Sequence, residues 1–224
     1  TVVDEIRAYL GEHAERNGFI ASPAHRLDRE TSGVILCAKS RRAMVRFTEI
    51  FTEGSAHKVY LTLVKGHFNT PHGTIDTPLA EHQQSARSKA ERGVNLQEAV
   101  TRYKVIGKGQ HVSLLECTIE TGRTHQIRRH MASIGHPVAG DRKHGDFAFN
   151  RELKAKYGLK RMFLHARRIT FRHPVDDNRM TLESPLSQEL ATVLRKMGIQ
   201  NPDAPKEKPA PKPRAAPADD GEPS

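Results

Sequence analysis

Residues 25–40 read HRLDRETSGVILCAKS, and the rest of the chain is organised around them. The first half crowds His25, Arg26, Asp28, Arg29 and Glu30 around Leu27. The second half, Val34-Ile35-Leu36-Cys37-Ala38, is an apolar run with a β-branched start, the length of a buried strand. Thr31-Ser32-Gly33 reads as the turn joining them. A polar knot pinned to a rigid strand is a common seat for catalytic groups, and equally the form of a self-neutralising surface turn. The rest of the chain decides between these.

Charge points to the class of partner. The 224 residues carry a net +10. From Asn201 onward four basic residues (Lys206, Lys208, Lys212, Arg214) face five acidic ones, so the tail carries −1 and the body +11. A basic globular body suits a polyanion, with nucleic acid ahead of an anionic membrane. Cys37 and Cys117 both lie in apolar runs and read as buried thiols in a reducing compartment. No stretch has the apolar length of a membrane span and no secretory leader opens the chain, so the cytoplasm is expected. A start at Thr1 suggests a fragment or a processed product.

Working outward, residues 2–17 predict a helix with Ile6 and Leu10 on one face, ended by Gly18. Ala43, Phe47, Ile50 and Phe51 recur at helical spacing in 41–53, before Gly54. Residues 58–64 alternate, placing Val59, Leu61 and Leu63 on one face of a strand and Tyr60, Thr62 and Val64 on the other. Pro71, Gly73 and Pro78 punctuate the next segment, and residues 85–89 form a basic, small-residue loop. Two strands, 99–106 and 111–119, are joined by a hairpin at 107–110. Thr124 is the expected N-cap of a helix of about ten residues that ends at Gly135, with Ile127, Met131 and Ile134 buried. Arg128 lies about 100° round from Ile127, where a charge at the edge of a buried face needs an acidic partner. A short helix at 150–157, strands at 162–171 and 179–182, and a helix at 186–197 complete a body of residues 1–200. Seven prolines among residues 201–224 predict a disordered tail.

Most familiar chemistries have no sequence support. His125 and His130 are five apart, the wrong spacing for two metal ligands on one helix face, and HExxH and CxxC are absent. Neither GxGxxG nor GxxxxGK[ST] occurs. Ser32 is not in a nucleophile-elbow context, and no carboxylate pair is marked for glycoside hydrolysis. Asp28, between Arg26 and Arg29, remains; an adjacent guanidinium favours the anionic form of a carboxylate and orients it.

Four stretches carry a resemblance. HRLDRETSG with its apolar run, KVYLTLVKG at 58–66, TGRTHQIRRHMASIGHPVAGD at 121–141 and FLHARRITFRHP at 163–174 resemble, in order, the motifs of the RluA family of RNA pseudouridine synthases. The likeness spans about residues 22–198. It implies an α+β fold with a mixed, largely antiparallel central sheet flanked by helices. It also implies isomerisation of a uridine in RNA to pseudouridine, with no cofactor and no metal.

By the same resemblance Asp28 is the essential aspartate and Arg128 its partner. The motif leaves open whether Asp28 adds to the sugar, adds to the base or removes a sugar proton. Tyr60 matches the tyrosine that stacks on the target base and is available as a proton acceptor; as a plain residue it is an ordinary strand tyrosine. Arg26 matches an arginine that helps displace the nucleotide, since a base in a stem must be flipped out at a cost of about a few kcal/mol. Leu164 is expected to wall the uracil pocket, and His25, Arg123 and His125 to meet substrate or RNA. His25 and Thr31 are also expected to shape the loop, with His130 and His165 structural or RNA-facing, and Arg29 and Glu30 surface charges.

Many members carry an S4-like RNA-binding domain ahead of the catalytic one. None is visible here, so either the chain is a catalytic fragment or the +11 body binds RNA unaided. Residues 141–160 resemble most the branch acting on large-subunit ribosomal RNA, with transfer RNA the alternative. A monomer is expected. Two rivals stay in view: an RNA-binding or ribosome-assembly factor without catalysis, and a basic metal-dependent hydrolase.

Overall fold

A computed structural model describes residues 1–81, 95–173 and 176–204. The basic loop expected at 85–89 and the tail from 205 onward lie outside the described residues.

The alternating stretch at 58–64 becomes the axis of the fold. The main sheet contains β1 (Ser32–Gly33), β2 (His57–Lys65), β3 (His72–Ile75), β4 (Thr101–Lys108), β5 (Val112–Ile119), β6 (Leu164–Arg172) and β7 (Arg179–Glu183). Their order is β7-β6-β2-β5-β4-β3, and β1 pairs with β6 beside the end that β7 leaves open. Every pairing is antiparallel except β1 with β6, so the expected mixed, largely antiparallel sheet is the observed one. Among the described residues five helices accompany it: α1 (Val2–Leu10), α2 (Arg41–Thr52), α3 (Gln126–Ser133), α4 (Phe147–Tyr157) and α5 (Gln188–Lys196).

The alternation in β2 sorts side chains between two layers. Leu61 and Leu63 pack with Leu114 and Phe163 against Phe149 and Leu153 of α4 and Leu190 and Leu194 of α5. Val64, with Tyr60 beside it, joins Leu115, Cys117, Ile127, Met131 and Leu164 on the opposite face, under α3. A third cluster seats Phe47 of α2 on Phe171, Ile169 and Leu36. Cys37 and Cys117 are free thiols, Cys117 fully buried.

Several local expectations are corrected. The first helix stops at Leu10 and not near Asn17, because Gly11 takes a positive φ of 55° and a short 3-10 turn follows. Asn17 and Gly18, both with positive φ, then form a two-residue turn joining Glu15–Arg16 to Phe19–Ile20. That is the Asn-Gly hairpin signature. The run Val34 to Ala38 is not one strand. Only Cys37–Ala38 pairs, with Ser22–Pro23, while Val34 donates its N–H to the Ala166 carbonyl. Thr31-Ser32-Gly33 is likewise no simple turn: Ser32 and Gly33 form β1. Gly33 has φ 118° and lies so close to β6 that a Cβ would collide with the Ala166 carbonyl.

The N-terminus of α3 also differs from expectation. Thr124 does not cap it; His125 precedes the helix at φ 55°, in the left-handed region, without a side-chain cap. Gln126 does the ordering, its Oε1 accepting from the Arg123 N–H and the Thr121 hydroxyl and its Nε2 donating to the Val100 carbonyl. Ile134 falls outside the eight-residue helix and is 39% exposed. The helix α4 starts three residues before the expected Asn150, since Asp146 accepts from the Phe149 N–H as its N-cap.

Candidate active site

Asp28, Tyr60, Arg128 and Leu164 arrive from four separate elements at one cleft of about 490 Å³. That is the size of a small-ligand pocket. Asp28 comes from the loop before β1, Tyr60 from β2, Arg128 from the first turn of α3, and Leu164 from the start of β6. His25, Arg26, Arg123 and His125 line the same cleft, so all eight residues singled out in the sequence converge.

The centre of the site is a buried ion triad. Arg128 Nη1 donates to Asp28 Oδ2 at 2.9 Å. Its other side grips Asp141 bidentately, Nε to Oδ2 at 2.7 Å and Nη2 to Oδ1 at 2.9 Å. Asp141 is fully buried, and its Oδ1 also accepts the N–H groups of Lys143 and His144. Burial opposes charge on both partners, yet the hydrogen bonds outweigh it: Arg128 is held above its ordinary pKa and Asp141 below. A guanidinium fixed in this fork has one free corner, and that corner sets Asp28. Asp28 Oδ1 is left out of the Arg128 bond, with His125 Nε2 4.0 Å away. The acidic partner expected for Arg128 is therefore two partners. Asp141 was missed as one because its loop lies 13 residues beyond Arg128; its only sequence signal was being an aspartate at the end of the same motif.

A second network ties down the far end of the loop. Arg161 donates to the Glu30 carbonyl at 3.0 Å and to Ser32 Oγ at 2.9 Å. His165 donates from Nε2 to the Ser184 carbonyl, so its Nδ1, 2.9 Å from Ser32 Oγ, is the acceptor of the serine hydroxyl. Burial pushes the His165 pKa down, which keeps the ring neutral and suited to accept. His165 and His130 are thus structural: His130 is fully buried between Thr101 and the Thr77 carbonyl. Nothing in the local sequence announces the Arg161 brace.

The other candidates divide between loop and rim. His25 Nε2 accepts the Leu36 N–H at 2.9 Å and its ring packs on Phe51, so the imidazole braces the loop from within. Arg26 is exposed at the rim, as is Arg123, whose Nε donates to the Glu98 carbonyl. His125 Nδ1 lies 3.0 Å from His144 Nε2. Burial lowers the His125 pKa to about 4 against the pull of Asp28, so the ring is neutral at pH 7. Burial, then the Asp28 charge, pushes the Tyr60 phenol up to about 12. Thr31 Oγ1 is buried beside the cleft without a hydrogen-bond partner among the described residues. Lys58, two residues before Tyr60, also lines the cleft and was not singled out by sequence.

Comparison with known proteins agrees with this geometry. Residues 6–133 match the family described as RNA pseudouridylate synthase. Ribosomal large subunit pseudouridine synthase C of Vibrio cholerae is 36% identical over 173 residues, 77% of this chain and 54% of that protein. Its namesake in Escherichia coli is 39% identical over 175 residues, 77% of this chain and 55% of that protein. The chain spans about half the length of these curated relatives. Among solved structures, human RNA pseudouridylate synthase domain containing 1 superposes with a TM-score of 0.67 at 26% identity, covering 83% of this chain and 74% of that one. Human RNA pseudouridylate synthase domain containing 4 shares the fold, with a TM-score of 0.70 at 23% identity over 89% of this chain and 84% of that one. With the motifs in order along one chain and their side chains gathered in one cleft, the protein belongs to the RluA family of RNA pseudouridylate synthases.

Proposed function

We propose that this chain isomerises uridine to pseudouridine in RNA, with large-subunit ribosomal RNA as substrate. The observation that carries the reading is the single hydrogen bond from a doubly clamped Arg128 to Asp28 at the floor of a nucleoside-sized cleft. In this reaction the N1–C1′ bond breaks, the base turns, and C5 bonds to C1′. One proton leaves C5 and one reaches N1, so the product is an isomer of the substrate.

Within that scheme Asp28 is the reactive carboxylate, and Arg128 with Asp141 orients it. Tyr60 stands beside Asp28 as a phenol that keeps its proton at neutral pH, which supports stacking and hydrogen-bond donation over proton acceptance. Leu164 walls the base, and Arg26 fills the stack that the flipped base vacates. His25 and His125 shape the site, and Arg123 offers the rim a cation. The scheme calls for no cofactor or metal ion.

The names of the relatives favour ribosomal RNA over transfer RNA. Residues 1–200 form the catalytic domain in this reading, acting as a cytoplasmic monomer. Among the described residues no helix is long and apolar enough to cross a membrane.

The test is tritium release from RNA transcribed with [5-³H]uridine. Asp28→Ala should abolish release while RNA binding persists. Turnover retained in that variant sinks the mechanism; a wild-type protein that binds RNA without any release identifies a binding or assembly factor. Pseudouridine mapping in cells lacking the gene decides the substrate, a missing mark in transfer RNA alone overturning the ribosomal assignment.

A further inference from the structure

The proposed reaction leaves a cation in the cleft unused. Lys58 and Tyr60 lie two residues apart on β2, so both project from the same face, about 6.6 Å apart along the strand. Lys58 is half-buried, and no hydrogen bond or ion pair joins its ammonium to any described residue. Its Nζ lies where a Cβ on Gly122 would stand 3.7 Å away, and its charge reaches His25. The ammonium therefore sits between the loop that carries Arg26 and the turn that carries Arg123. Burial alone lowers its pKa, with no anion among the described residues to offset the effect.

A half-buried ammonium that lines a cleft without a counter-charge is left partly desolvated, and such a group points to an anion brought by a ligand. The carboxylates of the site do not serve: Asp28 and Asp141 both bond to Arg128, and neither forms an ion pair with Lys58. The separation of Lys58 from Tyr60 is of the order of the reach from a base to its own phosphate. Lysine meets phosphate as a compact point charge, without needing the planar match that arginine uses.

We propose that Lys58 is the phosphate seat of the target nucleotide: its ammonium binds a non-bridging oxygen of the phosphodiester joined to the uridine that lies against Tyr60. Arg26 and Arg123 flank this seat on the rim and hold the strand on either side. The proposal rests on the RNA-modifying function and adds to it the group that registers the flipped nucleotide by its backbone.

The full chain and its Lys58→Met and Lys58→Arg variants would be compared on a tritium-labelled transcript of large-subunit ribosomal RNA. Affinity would be measured across a potassium chloride series, and KM and kcat by tritium release. For Lys58→Met the slope of log affinity against log salt should become shallower by about 1. KM should rise about 10-fold, a loss of one charge-assisted contact, with kcat within about two-fold of wild type. Lys58→Arg should restore slope and KM. An unchanged slope and KM in a folded Lys58→Met protein overturns the proposal, as does a fall in kcat at unchanged slope, which would put the ammonium on the uracil ring. Circular dichroism establishes folding, and Lys58→Gln carries the same measurements if the methionine variant does not fold. Absence of turnover in the wild type would refute the proposed function, while the salt slopes would still judge Lys58.

Discussion

The two faces of the central sheet are built from different materials. On one, Leu61, Leu63 and Leu114 meet α4 and α5 through Phe149, Leu153, Leu190 and Leu194, a layer of apolar side chains. On the other, Tyr60 and Leu164 border a cleft lined by Asp28 and Arg128, with Asp141 buried behind the guanidinium. The first face gains from burying area, roughly 25 cal/mol per Å², and tolerates swaps that conserve volume. The second holds charges out of water and depends on every partner being present. One strand, β2, serves both because successive side chains point to opposite sides. The first face is an apolar layer alone; the second sets the charged cleft beside an apolar cluster under α3.

Removing Asp141 should break this division most severely. Asp141→Ala leaves Arg128 buried with a single partner, and such a loss costs about 3–5 kcal/mol of folding stability. Because Arg128 then no longer fixes Asp28, turnover should fall in protein that is still folded, about 100-fold on the scale of a lost orienting group. Urea denaturation reads the first effect and tritium release the second. Activity near wild type in the folded fraction would show that Asp141 serves stability alone.

Leu194→Ala is the complementary cut on the apolar face. It should cost about 2–5 kcal/mol in urea denaturation and leave kcat and KM unchanged below the unfolding transition. A change in kcat would mean that the two faces are coupled through β2.

The smallest effect is a dependence of stability on pH. Burial lowers the pKa values of His25, His130 and His165, and that of His125 to about 4, from an ordinary 6.5. The folded protein keeps these rings neutral, whereas the unfolded chain takes up protons as the pH drops below 6.5. Stability is therefore undiminished above pH 6.5 and declines from there towards pH 4. Each kcal/mol lost between pH 7.5 and 5 should lower the melting temperature by about 2–4 °C, and Leu194→Ala should show the same slope. A flat melting profile over that range would contradict the buried, neutral histidines.

Legibility in the sequence follows the range of the forces involved. The period-2 pattern of β2 and the helical spacing of Phe47, Ile50 and Phe51 record which side is buried, and both appear in the structure as expected. Arg128 was flagged because a charge at the edge of an apolar face needs a partner, an argument that requires only the helix. The Asn17-Gly18 turn was also readable, but the periodic residues before it suggested a longer helix. The division of Val34 to Ala38 was not readable, because each half takes its partner from a different distant segment.

By itself the sequence determined the family motifs, the two-sided strand, the basic body and the four elements that supply the site, all of which depend on neighbours within a few turns or along one strand. Only the tertiary structure decided that Asp141 shares Arg128 with Asp28, that Arg161 and His165 hold Ser32, and that Lys58 has no counter-ion among the described residues. The physical reason is that a buried charge is satisfied through space. Which group reaches it depends on the packing of distant segments, 131 residues apart for Arg161 and Glu30. Asp28 was conspicuous from the outset among the charges of residues 25–30; the fold selected it by bringing one corner of Arg128 to its carboxylate.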